Sequence, residues 1–372
     1  MRVSASSLRQ IPTVECGFQP LPQKMSGVLV YVNAEKEKGL YGYSSEYKIE
    51  PNVITVAGRG VNVGITHVRD HRFYPIVRLL VLNPKISLSI HFFEYQINRI
   101  NIFLESTRVP QLTAPQISSY KVASTSIAEQ EKIASFLGAI DKRLTQLRRK
   151  HELLQTYKRG VIREIFIHKI GSQKNKKTPS FRFNSFAGEW QPRKFKEFIV
   201  KKNTNASENI PLYSLTIENG VTEKTERYER SFLIKSEDEA YKLVESNDFV
   251  YNPMNVRLGA LGRHKKDYSV KVSKYYDVFS LDQSVDVNFV EFLLKNRNSI
   301  QYYDHMAAGS LIEKKRLHFV DFLQFTFLLP CIEEQEKIAD FLTAIDRKIE
   351  AVAQQIDRTK QFKKGLLQKM FV

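Results

Sequence analysis

Cysteine is scarce: Cys16 and Cys331 are the only two thiols in 372 residues. That excludes a disulfide scaffold and any Cys-x-x-Cys zinc site, and it suits a reducing compartment. Long apolar runs are missing too. No stretch reaches the roughly 18 residues that a membrane span requires, and the densest patch, residues 322–329, reads as a short buried strand. The first ten residues have no apolar core, so no secretory leader is expected. There is no Gly-x4-Gly-Lys-Ser/Thr phosphate loop and no Gly-x-Ser-x-Gly nucleophile turn. Negative charge is in deficit, with 40 Asp plus Glu against 57 Lys plus Arg, a net charge of +17. An excess of that size predicts a polyanionic partner, either nucleic acid or an acidic surface. The residues point to a cytoplasmic protein that is not inserted in a membrane.

Two possible constellations fall away on inspection. His67 and His71 lie four apart, a spacing that binds zinc from one helix face, but no third ligand is close in sequence and no metal is expected. Tyr251-Asn-Pro-Met254 faintly resembles the Asn-Pro-Pro-Tyr loop of amino-methyltransferases. It lacks the second proline and the aromatic, and reads as a strand-ending turn. No catalytic residue is assigned and the chain is expected not to be an enzyme.

What is present is a duplication. Residues 127–141 and 332–346 are identical at twelve of fifteen positions, at an offset of 205. A looser match runs on through Lys158/Lys363 and Gly160/Gly365 to Phe166/Phe371. Each copy carries a 4-3 apolar spacing. The first runs Ile133, Leu137, Ile140, Leu144, Leu147, His151, Leu154, Lys158, Val161, Ile165. The second runs Ile338, Leu342, Ile345, Ile349, Val352, Ile356, Thr359, Lys363, Leu366, Met370. That spacing predicts two long coiled-coil helices, with a capping box at Ser126 and Glu129 for the first. The polar residues in the seam have two readings: a frayed or partly exposed distal end, or positions that fix register and pairing.

Between the helices lie β-rich stretches such as residues 28–32, 53–56 and 248–251, punctuated by Gly, Pro and Asn. The organisation expected is therefore a β-rich domain (1–125), a helix (126–168), a basic linker (169–180), a second β-rich domain (181–330) and a second helix (331–372). The fold class is mixed α/β (α+β). If both apolar seams pair, the helices run antiparallel and the two domains are related by a quasi-twofold axis.

The charge is uneven. Residues 167–202 carry +8, whereas residues 203–331 carry −2. The domains align weakly: residues 53–64 lie over 248–259, each a strand, a glycine-containing turn and a basic loop. Arg59, Asn62, Arg69 and Arg72 in one, and Arg257, Arg263, His264, Lys265 and Lys266 in the other, are candidates for contact with DNA. Arg and Lys read guanine edges, Asn reads adenine, and all can hold phosphate. Lys314, Lys315 and Arg316 form a further basic spot. A solvated basic hairpin accounts for the same residues without DNA.

The twice-repeated Ile-(Ala/Glu)-Glu-Gln-Glu-Lys-Ile-Ala-x-Phe-Leu-x-Ala-Ile-Asp, closing each β-rich stretch, resembles the specificity subunit of type I restriction-modification enzymes, and the resemblance covers essentially the whole chain. It implies two target-recognition domains reading a bipartite, asymmetric DNA site, with the paired helices setting the gap. A helix of about 40 residues is a rod of about 60 Å, or about 17 base pairs. It also implies docking of two methylation subunits and of restriction (motor-nuclease) subunits. Glu129, Gln130, Glu131, Glu334, Gln335 and Glu336 at the helix starts are the docking candidates. S-adenosylmethionine, ATP and Mg would belong to those partners, and none to this chain. The second domain opens with Phe181-Arg-Phe183 and Gly188-Glu-Trp190, as family domains commonly do, whereas the first has no such Trp-containing entry. Two other classes remain open: a coiled-coil scaffold with basic modules that do not read sequence, and an autonomous methyltransferase.

Overall fold

The computed structural model describes residues 4–7, 13–16, 26–34, 36–76, 78–84, 88–100, 102, 110–166, 179, 181–223, 241–309 and 315–371. The linker 169–180, apart from residue 179, and Lys314 lie outside them. The chain forms two compact units, one from residues 1–149 and 354–372, the other from residues 150–353.

The 4-3 spacing becomes two helices of equal length, Ile127–Ile165 and Ile332–Met370, each of 39 residues. Each unit holds the amino-terminal part of one and the carboxy-terminal part of the other, an antiparallel pairing. The seam is buried or half-buried along its length. Leu137, Leu144, Leu147 and Ile165 lie inside on the first helix, as do Ile338, Leu342, Ile345 and Val352 on the second. At the first helix start, Ser126 Oγ accepts from the Glu129 amide at 3.4 Å, but the Glu129 carboxylate takes the Thr125 hydroxyl, so the expected capping box is half made.

In the first unit a four-stranded antiparallel sheet has the order Thr13–Cys16, Leu79–Leu82, Val53–Ala57, Thr66–Arg69. Every residue of its two central strands is buried, so they read as unbroken apolar runs, not alternation. A three-stranded sheet of Leu40–Ser44, Val28–Tyr31 and Phe73–Pro75 packs beside it, and Ser4–Ser7 pairs with Lys121–Ser124.

The second unit repeats this plan. Its four-stranded antiparallel sheet runs Ile199–Lys202, Asp277–Leu281, Phe249–Tyr251, Leu261–Arg263. Gln191–Lys194 pairs with Thr326–Leu329 as Ser4–Ser7 does with Lys121–Ser124. The apolar stretch 322–329 is thus a strand only in its last four residues, because Phe319–Phe322 forms a short helix ahead of it. Helix Ile90–Ile97 has its counterpart in Val287–Lys295. An aromatic core of Trp190, Phe195, Phe249, Phe279, Phe289, Phe322 and their neighbours also takes in Val161 and Ile165 of the first long helix and Leu342 of the second.

One glycine is required by close approach. A Cβ on Gly262 would sit 2.9 Å from the Gly220 Cα and 3.2 Å from the Val221 nitrogen, where the hairpin Tyr213–Thr216/Gly220–Glu223 crosses the edge strand.

Candidate nucleic-acid interface

Both four-stranded sheets end in the same device: a central strand, a 3-10 turn and an edge strand. The turns are Gly60–Asn62 and Val256–Leu258, and the edge strands Thr66–Arg69 and Leu261–Arg263. The basic candidates lie on these hairpins, where alternation along the strand sends some inward and some outward.

Three of them point in, which corrects their assignment as DNA contacts. Arg69 is only 2% exposed. Its Nε donates to Thr55 Oγ1 at 3.1 Å, a terminal nitrogen donates to the Lys38 carbonyl at 2.7 Å, and the guanidinium lies 3.6 Å from the Tyr31 ring centre. Arg263 has a buried side chain that reaches Glu291 at 3.1 Å and Asn288 Oδ1 at 2.8 Å. His264 is buried, with Nε2 at 2.6 Å from the Tyr268 carbonyl and its ring edge-on to Tyr213 and Tyr268. Hydrogen bonds offset the cost of desolvating these polar groups, although the Arg263 Nε is buried with no partner among the described residues.

The others face solvent to different degrees. Arg72 is exposed, lies over Tyr47 and donates to Glu50 at 3.0 Å, a carboxylate contact that raises its pKa. Arg59 and Asn62 are half-buried at the first turn, where the Arg59 carbonyl accepts from Asn33. Arg257 sits in the second turn, 3.3 Å from Asp304. Lys265 is 60% exposed along its side chain, though it reaches Glu291 at 2.9 Å. Lys266 is exposed, Lys315 half-buried and Arg316 exposed. Tyr268, two residues past Lys266, is exposed, as are Lys274 and Tyr275 at the far end of the next strand, Val270–Ser273. Tyr268 and Tyr275 escaped the sequence reading, which weighed only basic and amide side chains. Aromatic residues alternating with lysine, Lys265-Lys-Asp-Tyr268 and Lys274-Tyr275, were the signal available.

His67 lies on the edge strand, and burial with the nearby charges of Arg69 and Lys38 holds its pKa down to about 4. His71 bonds instead to Tyr31 at 2.9 Å and Asp70 at 2.7 Å. Among the described residues no group of three or more His, Cys, Asp or Glu is placed to hold a metal.

The helix starts also need correction. Gln130 and Gln335 are buried, and each clamps its own module. Gln130 Oε1 accepts from the Ser89 amide at 3.0 Å while Nε2 donates to the Thr125 carbonyl at 2.8 Å. Gln335 does the same with Asp286 and Pro330, at 3.0 Å each. Ser89 and Asp286 are in turn the N-caps of the equivalent short helices. Glu334 is 1% exposed and is held by Arg182 and Trp190. Glu131 and Glu336 are exposed, and Glu129 is half-buried.

The polar seam residues carry the pairing. Lys158 Nζ reaches Asp346 at 2.5 Å, and Lys363 Nζ reaches Asp141 at 2.6 Å. Lys158 and Lys363 are repeat counterparts, as are Asp141 and Asp346, so one ion pair is built twice. These half-exposed ion pairs are what the register reading of the two lysines expects. Lys363 also lies 5.0 Å from the Tyr95 ring centre, whose hydroxyl donates to Asp141 at 2.7 Å; Lys158 lies 5.1 Å from that of Phe292.

Comparison with known proteins now bears on these observations. Residues 6–155 match the family described as Type I restriction modification DNA specificity domain. Over that stretch the first module is similar to a type I specificity domain. The chain's fold is that of a type I S subunit from M. genitalium, superposing with a TM-score of 0.63 at 13% identity over 100% of this chain and 96% of that one. A second solved chain, from work on complex assembly and conformational transition of the type I R-M system, superposes at 0.55 with 12% identity, over 99% and 97%. The second module lies beyond the matched segment and shares the strand order of the first. No helix among the described residues is long and apolar enough to cross a membrane.

Proposed function

We propose that this chain is the non-catalytic, sequence-reading subunit of a cytoplasmic type I restriction-modification complex. The observation that carries the reading is the doubled plan: two sheets of the same strand order, each ending in a basic edge hairpin and each followed by one of two near-identical long helices. Two readers of different surface chemistry suit a bipartite, asymmetric site, and a helix of about 60 Å suits the gap between half-sites. In the second module, exposed Lys265 and Lys266 supply phosphate contacts that position the reader, with exposed Tyr268 following them in the chain. In the first, Arg59, Asn62 and Arg72 stand at the corresponding hairpin. Arg257, Lys315 and Arg316 complete the candidate surface.

Methylation and restriction subunits dock on this chain and bring S-adenosylmethionine, ATP and Mg with them. Glu129, Glu131 and Glu336 remain the docking candidates at the helix starts, since Gln130, Gln335 and Glu334 are committed to their own modules. The test is co-expression with a type I methylation subunit and a genome-wide map of methylated adenines. A gapped, asymmetric motif is expected. Absence of methylation, together with DNA footprints lacking base preference, overturns the reading in favour of a scaffold that binds polyanions through charge alone.

A further inference from the structure

The two long helices are near-identical at their starts, yet among the described residues only the second is covered by an arm. In the second unit the arm of residues 181–190 lies on the helix. Arg182 forks onto Glu334, with Nε to one carboxylate oxygen at 2.8 Å and a terminal nitrogen to the other at 2.7 Å. Trp190 Nε1 donates to the same carboxylate at 3.3 Å. On either side of the arginine, Phe181 stacks on Phe341 at 5.9 Å between ring centres and Phe183 meets it edge-on at 5.7 Å. A planar cation on a carboxylate, flanked by two rings on a third, is a specific seat.

The repeat places Glu129 and Phe136 where Glu334 and Phe341 stand. Around them the surroundings differ. Phe136 is 45% exposed and Ile127 41% exposed. Among the described residues, the Glu129 carboxylate accepts only the hydroxyl of neighbouring Thr125, through one of its two oxygens. Among the described residues of the first unit, no arginine or aromatic side chain seats on this pair. An exposed phenylalanine beside an under-used carboxylate is the apolar and acidic half of an interaction whose other half the second unit displays.

We infer that the Glu129–Phe136 face is a docking site for a partner chain's segment carrying an arginine between two aromatic residues. Arginine is selected over lysine because only the guanidinium matches both carboxylate oxygens at once, as Arg182 does on Glu334. The segment binds extended across the first two turns of the helix, as Phe181-Arg-Phe183 does on the equivalent turns of the other. This deepens the docking half of the proposed function and does not depend on the DNA-reading half, because the assay below contains no DNA.

The probe is a labelled peptide with the sequence of residues 181–190, titrated into the full chain and read by fluorescence anisotropy. One saturable site is expected. Phe136→Ser and Glu129→Gln should each weaken binding at least tenfold, as should an Arg182→Ala change in the peptide, while Arg182→Lys weakens it nearly as much. Folding of each variant is checked by circular dichroism. A second arm removes dependence on peptide affinity: residues 1–3 are replaced by the ten-residue arm, so that it runs into Ser4, which pairs with Ser124 as Gln191 pairs with Leu329. The graft should raise the thermal midpoint by several degrees in a manner lost with Phe136→Ser, and should abolish peptide binding. Failure of the parent chain to bind, or binding indifferent to Phe136 and Glu129, overturns the site. Concentration-dependent dimerisation abolished by Phe136→Ser would overturn the partner, replacing it with a second copy of this chain.

Discussion

The two edge hairpins and the two helix pairings make opposite use of the same duplication. At the hairpins the plan is kept and the chemistry is exchanged. Arg69 ends one edge strand inside a box of Thr55, Tyr31 and a backbone carbonyl; His264, just past the end of the other, sits against Tyr213 and Tyr268. At the helices the chemistry itself is kept: Gln130 and Gln335 make equivalent pairs of bonds, and Lys158 and Lys363 meet the equivalent aspartates Asp346 and Asp141. Pairing geometry tolerates little variation because a buried carboxamide and an inter-helix ion pair each need particular partners at particular distances. A hairpin surface has only to stay folded, so its outward side chains are available for change.

The comparison is broken most severely at the glutamines. Gln335→Ala strands the Asp286 amide and the Pro330 carbonyl, and Gln130→Ala strands the Ser89 amide and the Thr125 carbonyl. Each should cost about 3 kcal/mol, the sum expected for two buried polar groups left without partners. Urea unfolding measures this directly, and losses below about 0.5 kcal/mol for either would remove the clamp from the account. Glu is the informative second substitution, since it keeps the acceptor and loses the donor.

Arg263→Ala comes next, at about 2 kcal/mol, because it removes the buried arginine from Glu291 and leaves that carboxylate to Lys265 and the more distant charge of Lys295. The paired experiment is Lys265→Ala with Lys266→Ala. That double variant should hardly change stability, yet should lower DNA affinity across all sequences and reduce the slope of log K against log salt by about 2. An unchanged slope would move the phosphate contacts elsewhere on the module. The contrast separates inward from outward basic residues on one short strand.

The inter-helix ion pairs are half-exposed, so their reversal is a smaller effect. Lys158→Asp, which faces Asp346 with a like charge, should cost about 1 kcal/mol. Adding Asp346→Lys should restore most of it, and a double-mutant cycle on thermal midpoints gives the coupling. The same cycle at Lys363 and Asp141 should return the same value within error. Unequal couplings would show that the two halves of the seam have diverged in strength despite their matching geometry.

The helices were legible because a 4-3 spacing and a twelve-in-fifteen repeat are both one-dimensional signals, and the polar interruptions at Lys158 and Lys363 announced register without naming their partners. Asp141 and Asp346 were invisible as those partners, since the pairing joins residues 188 and 222 apart in sequence. The weak alignment of residues 53–64 with 248–259 located the equivalent hairpins correctly. It misjudged Arg69, Arg263 and His264 because residue type reports charge while strand phase decides direction, and the phase was fixed by Val53↔Arg69 and Phe249↔Arg263 pairing. Gln130 and Gln335 looked like surface residues for a similar reason. A glutamine near a helix start is usually solvated, and only the amides of Ser89 and Asp286, over 40 residues away, explain why these two are not.

The smallest expected effect tests the first hairpin alone. His67 has a folded pKa near 4, held down by burial and by the charges of Arg69 and Lys38, against about 6.5 for an unfolded histidine. Between those values the unfolded chain binds the extra proton, so the contribution of a neutral His67 is complete above pH 6.5 and is lost as pH falls toward 4. The second module has no histidine at this position of its edge strand, which holds Gly262. His67→Gln should therefore flatten the decline in stability between pH 6.5 and 4.5, with little change at pH 8. The same substitution has no effect on this slope if the decline arises from carboxylates instead, and urea midpoints at four or five pH values distinguish the two. A flattened slope would mean that the edge strand of the first reader, unlike that of the second, loosens on acidification through a single neutral ring packed behind its candidate DNA contacts.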